Sequence, residues 1–233
     1  MKKLLSFAVA SLAVAAVADT YSPTIGVTEV TTTLRNTIVA VPFTSLSSDA
    51  NISANDLVKT ANLAEGTALY IFNGTSYSAW VLENGAWNGA IPANTATGVG
   101  TPTAATATPL AKGSAIWLSR PASDTAESKT FYIYGKWSNP SSFTVAAGSQ
   151  LVANPLQTTA TLSVANPAAG DEIITASDDV PVRYVYRVNS KTQVGQWRKD
   201  NAQATLPTIP AGQGFWYVAA SAGATISFAA PGN

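Results

Sequence analysis

Six tryptophans, eight tyrosines and seven phenylalanines are the residues of this sequence best equipped to hold a ligand. An aromatic face packs against sugar C–H groups while the ring edge hydrogen-bonds, so exposed Trp and Tyr serve as carbohydrate platforms. Trp87 and Trp197 follow turn-like or polar stretches and are the candidate ligand-binding residues. Trp117 and Trp216 come directly after a glycine turn on apolar strands, and core filling is the expectation for both. Asp171-Glu172 and Asp178-Asp179 are oxygen-rich pairs of the kind that hold calcium, but no Asp-x-Asp-x-Asp-Gly loop accompanies them. Solvated loop charge is their default reading. Arg183, Arg187, Lys191, Arg198 and Lys199 make one region locally basic, which reads as a solvated sheet face and secondarily as a contact for an anionic glycan.

Catalytic patterns are missing. The chain has no histidine and no cysteine, which removes His-based triads, thiolate nucleophiles, disulfides and Cys/His zinc sites together. Neither Ser-x-x-Lys nor Gly-x-Ser-x-Gly occurs, and Gly212-x-Gly214 is not followed by a helix pattern that would make a phosphate cradle. No carboxylate pair is singled out for glycoside hydrolysis. The expectation is therefore no catalytic residue, no cofactor and no metal.

The elements that would carry the aromatic residues are strands. Hydrophobic residues are 46% of the 233, against 11% charged, which belongs to a folded chain. Ala68 to Trp87 reads ALYIF, Asn73-Gly74, SYSAWVLE, Asn84-Gly85, AW. Asn-Gly between alternating apolar runs is the strongest short hairpin signal, so this passage predicts a three-strand meander. Leu69 and Ile71 should face one side of it, Tyr70 and Phe72 the other. Ser53 to Lys59 is the one stretch with a helical possibility, and it lacks a full amphipathic period. Residues 91–109 are almost all Ala, Thr, Gly, Pro and Asn and read as an inserted loop.

The first eighteen residues read as an address. Lys2-Lys3 precedes an apolar run from Leu4 to Val17, and Ala16-Val17-Ala18 supplies a small-x-small cleavage pattern. The run is short for a spanning helix, which needs roughly 20 apolar residues. Cleavage leaves 11 basic and 13 acidic residues, a net charge of −2 obtained by removing two lysines from the balanced 13 and 13. That charge gives no reason to expect nucleic acid. A secreted or cell-surface bacterial protein follows, with no transmembrane span in the mature chain. The short, irregular strands argue against an outer-membrane barrel.

The chain also resembles itself. Ile38 to Phe43 (IVAVPF) matches Leu151 to Leu156 (LVANPL), and Tyr70-Ile71-Phe72 matches Tyr184-Val185-Tyr186. Trp87 stands against Trp197, and Leu110 to Trp117 (LAKGSAIW) against Ile209 to Trp216 (IPAGQGFW). The blocks keep their order, which predicts two copies of one all-β unit. The expected organisation is a signal peptide at 1–18, a first β unit at 19–137 carrying the 91–109 insertion, and a second at 138–233. The expected fold class is all-β, two tandem related β-sandwich-like units with little or no helix.

Asn154-Pro155 after an apolar strand, followed by Pro210-Ala211-Gly212-Gln213-Gly214-Phe215-Trp216, resembles a module that recurs in secreted, β-rich bacterial surface proteins. The first copy departs from it, with Val41 in place of Asn and Ser114-Ala115 in place of Gln-Gly. The resemblance implies a non-catalytic accessory or surface role with no assigned active site. The functional expectation is thus an exported structural or adhesive protein, with a carbohydrate-binding module as the alternative. Glycans or other cell-surface proteins are its expected partners.

Overall fold

A computed structural model describes residues 25–32, 35–46, 51–53, 63–72, 74–88, 109–136, 142–177 and 180–230. The segment read as a signal sequence, the one read as an inserted loop up to residue 108, the stretch 54–62, Trp137 and residues 138–141 lie outside the described residues, as do Asp178 and Asp179. The fold is all-β, and the described residues contain no helix. The first half holds β1 (Ile25–Thr32), β2 (Asn36–Ala40), β3 (Ile52–Ser53), β4 (Ala68–Phe72), β5 (Tyr77–Glu83), β6 (Ala86–Asn88), β7 (Pro109–Leu110), β8 (Ala115–Ser119) and β9 (Lys129–Lys136). The second half holds β10 (Ser142–Thr144), β11 (Gly148–Ala153), β12 (Ala160–Ala165), β13 (Glu172–Ser177), β14 (Val180–Val188), β15 (Gly195–Lys199), β16 (Ala202–Gln203), β17 (Thr208–Ile209), β18 (Gly214–Ala219) and β19 (Thr225–Ala229).

Each half stacks two antiparallel layers on a core of its own. In the first, a sheet in the order β2-β8-β4-β5-β6 covers the pairs β1-β9 and β3-β7. Their inner faces close on Leu69, Trp80, Leu82, Phe131 and Ile133. The second has a sheet in the order β11-β18-β13-β14-β15-β16 opposite β10-β19-β12-β17, closing on Phe215, Tyr217, Ile226 and Phe228. The meander forms as its turns dictate: Asn84 (φ 53°) and Gly85 (φ 73°) both take positive φ, and Leu82 stands opposite Trp87. Leu69 is fully buried while Tyr70 and Phe72 sit half-exposed on the outer face, as strict alternation requires.

The large sheets share more than order. Ile38, Trp117 and Tyr70 lie side by side across β2, β8 and β4. Leu151, Trp216 and Ile174 do the same across β11, β18 and β13. Trp87 pairs with Leu82 and Trp197 with Tyr186. The N–H groups of Leu82 and Tyr186 both bond back to the residue opening the third strand of the sheet, Thr67 and Asp171 respectively. One sequence match falls on the wrong strand, because Tyr184 lies on β14, the counterpart of β5, while Tyr70 lies on β4. β13 has no aromatic residue, so the Tyr-x-aromatic pattern of β14 draws the match one strand too far.

Asp171 is fully buried at the head of β13 and accepts three hydrogen bonds. They come from the Tyr217 hydroxyl at 2.6 Å, the Ala220 N–H at 2.8 Å and the Ala168 N–H at 3.0 Å. Burial first, and then the bond to Asp171, push the Tyr217 phenol well above its ordinary 10.0. An unfolded chain ionises this phenol above pH 10 while the folded chain keeps its proton. The contribution to stability is complete below pH 10 and declines as pH rises beyond it. Thermal melts carried from neutral to strongly alkaline pH should therefore steepen downward above pH 10, and Tyr217→Phe should flatten that limb. Equal alkaline slopes in the two proteins would remove Tyr217 from the account.

Candidate functional site

Alternation decides which tryptophans reach the surface. Ile116 and Phe215 take the inner positions and are fully buried, so the next residue on each strand, Trp117 or Trp216, points outward. Both rings are half-buried and lie off the inner core that each was expected to fill, Trp216 packing instead on a cluster between the halves. Trp87, proposed as a platform, is 4% exposed, because it opposes Leu82 on the inner face. Its indole N–H is buried without a partner. Trp197 is half-buried, packed on the second core with its ring 5.3 Å from that of Tyr186. The motif had located the right strands. Nothing in the sequence set that single step of register, since Ile116 and Trp117, like Phe215 and Trp216, are both apolar and adjacent.

The outer faces of the two large sheets meet along a seam. Ala40, Ala115, Leu151 and Ala153 close it, with Ile38, Phe72 and Trp216 packed against them. The pairing is reciprocal: the Ala40 N–H donates to the Gly212 carbonyl at 2.8 Å, and the Ala153 N–H donates to the Gly113 carbonyl at 3.0 Å. Val39 faces Gln213 and Ser114 faces Val152 in matching bridges. Small side chains allow this approach.

Beside the seam lies a groove of about 310 Å³. Trp117 and Ile38 line it from the first sheet, Trp216, Ile174 and Pro181 from the second, with Asn36 and Thr175 as its polar groups. Behind Trp117 and Trp216 the aromatic residues form a connected cluster. The Tyr77 ring sits 6.1 Å from Trp117 and 6.2 Å from Trp216, Phe72 is 5.0 Å from Trp216, and Tyr70 is 5.8 Å from Trp117. Edge-to-face contacts such as those of Tyr77 hold rings in fixed orientations, so the surface is preorganised. Burial raises the Tyr77 phenol above its ordinary value. Next to Ile174 in the same cross-strand row comes Arg183, held by both oxygens of Glu172. A charged, hydrogen-bonding pair thus stands next to one of the residues that line the groove.

This geometry fits binding. Its size sits at the lower end of ligand pockets, which run from roughly 300 Å³ upward, and its lining is mostly apolar with a few polar groups. Among the described residues no group of three or more His, Cys, Asp or Glu side chains is placed to hold a metal ion. The calcium reading of Asp171-Glu172 does not hold, since Asp171 is bonded to Tyr217, Ala220 and Ala168 while Glu172 grips Arg183. No helix among the described residues is long and apolar enough to cross a membrane. Compared with protein-family models, curated proteins and solved structures, the chain matches none.

Proposed function

We propose that this chain is an exported, non-catalytic β-protein that acts at the bacterial surface or outside the cell, and that it adheres by binding carbohydrate in the Trp117–Trp216 groove. The aromatic groove carries this reading. Two outward indoles flank a concave surface, and Tyr70 and Tyr77 stand in the ring cluster behind them. Sugar C–H faces pack on such rings, while hydroxyls find Asn36, Thr175 and the Glu172–Arg183 pair. The leader sequence, the absence of histidine and cysteine, and the low charge support the exported, non-catalytic part. No assigned chemistry requires the groove to open or close.

The test is a glycan array probed with the chain from Asp19 onward, followed by calorimetry on the strongest hit. Trp216→Ala should weaken binding at least tenfold, about 1.4 kcal/mol. Trp197→Ala, away from the groove lining, should leave affinity within twofold. An array without hits, or equal losses from the two substitutions, would overturn the proposal.

A further inference from the structure

We propose that the outward arginines of β14 and β15 form an anion subsite beside the groove, so that the glycan bound there is an acidic one, carrying carboxylate or sulfate groups. The inference rests on the groove reading above for its sugar and on the arginines for its charge. The chain has 13 basic and 13 acidic residues, yet five of the basic ones fall between Arg183 and Lys199, a span without one Asp or Glu. Alternation sorts them. Tyr184 and Trp197 pack on the second core, so Arg183, Arg187 and Arg198 point to the outer face that also carries Trp216. Lys199 takes the opposite face, and Lys191 lies in the loop between the two strands.

The register brings the three arginines together. Val185 stands opposite Arg198, with Arg183 and Arg187 two residues to either side of it on β14. Arg198 is therefore the diagonal neighbour of both, at the roughly 7–8 Å typical of such pairs. On the other flank of Val185 is Glu172, the one acidic residue on the described strands of this face. Both of its oxygens already hold Arg183. Three guanidinium charges against one carboxylate leave the cluster at +2.

Arg187 is exposed and Arg198 half-buried, and neither has an ion pair or a side-chain hydrogen bond among the described residues. The Arg198 Nε is buried with no acceptor. Like charges across a strand pair repel, and a buried donor without an acceptor is costly, so the cluster as built favours an anion. A guanidinium fork matches paired oxyanion oxygens. Gln196, opposite Arg187, and Gln203, opposite Arg198, supply amides for neighbouring hydroxyls. The cluster begins where the groove lining ends. Pro181 and Ile174 line the groove, and Arg183 is the next outward residue after Pro181 and the cross-strand neighbour of Ile174. Two strand spacings put Arg183 roughly 10 Å from Trp216, and Arg187 lies about 13 Å further along β14. A ligand that touches the indoles and Arg187 is thus an extended acidic chain and not a single sugar.

Calorimetry on the chain from Asp19 should compare probes that share a backbone and differ in charge: oligogalacturonate with its methyl ester, and dextran sulfate with dextran. At low salt an acidic probe should bind at least tenfold more tightly than its neutral partner, and added salt should erase the difference. The pair with the larger gap tells carboxylate from sulfate. Arg187→Gln with Arg198→Gln should cut the advantage below threefold and leave the neutral probe and the melting temperature unchanged. Lys129→Gln with Lys199→Gln removes the same charge from elsewhere on the molecule and should leave the advantage intact. No preference for either acidic probe, or equal losses from the two double substitutions, overturns the inference without touching the groove reading. Trp216→Ala tests the groove separately: it should weaken both members of a pair, and unchanged affinity for both would remove the groove while the arginine effect still stands.

Discussion

Replacing Asp171 by alanine should cost about 3–5 kcal/mol of stability, because three donors lose their shared acceptor at once. The carboxylate is fully buried and is the acceptor for the Tyr217 hydroxyl and two backbone N–H groups. Alanine leaves all three donors without it, and the Tyr217 hydroxyl, which is fully buried, has no water to turn to. Each orphaned buried donor costs about 1–3 kcal/mol. For a chain of this size that translates into a fall in Tm of about 10 °C, measurable by calorimetry. Asp171→Asn keeps one acceptor oxygen and should recover part of the loss. The first half offers an internal comparison. Thr67 occupies the corresponding place and makes one side-chain bond, to the Ala64 carbonyl at 2.7 Å, so Thr67→Ala should cost only about 1 kcal/mol. Similar losses at the two positions would show that Asp171 does not organise the second half as described.

Gly214→Val should be the most damaging change at the seam. A Cβ at this position would lie 2.7 Å from the Val152 carbonyl oxygen, 2.7 Å from Ile38 Cγ2 and 2.8 Å from the Ala115 Cβ. The Ile38 side chain has room to rotate, but the Val152 oxygen belongs to the strand paired with Gly214 and moves only if the sheet moves. Overpacking of this kind costs about 1–3 kcal/mol, and a β-branched side chain against a backbone atom belongs at the upper end. Trp216 lies two residues away on the same face, so the groove should lose its shape as the seam opens. Chemical denaturation should report the stability loss, and the calorimetry used for Trp216→Ala should report weakened glycan binding. Ala115→Gly combined with Gly214→Ala should fare better than Gly214→Ala alone, because it vacates one of the three collisions. Full stability in Gly214→Val would mean that the halves do not meet at this glycine.

Local signals in the sequence carried most of the architecture. Asn84-Gly85 specified its turn through backbone preference alone, and the alternation of Leu69, Tyr70, Ile71 and Phe72 assigned faces that the fold reproduces. The site was less legible for a physical reason. Whether Trp117 faces in or out depends on a single step of register, and a glycine turn does not reveal which of the next two residues is buried. Trp87 misled for the opposite reason: a three-residue strand after a tight turn looks exposed, yet it lies over the first core. Asp171 read as loop charge because its partners, Tyr217 and Ala220, are far along the chain and meet it only through the sheet. The groove itself is built from both halves, so no window of either half could display it.

The seam has a temporal side as well. Its bond from Ala40 to Gly212 closes a loop of 172 residues by subtraction, whereas the Ala153–Gly113 bond spans 40. Contacts so distant form late, after the intervening segments have ordered. As the chain emerges N-terminus first, β2 must wait with its border bare until the last strands arrive. Newly made molecules therefore pass through an interval in which that border can capture the wrong neighbour, and the speed of emergence sets how long the interval lasts.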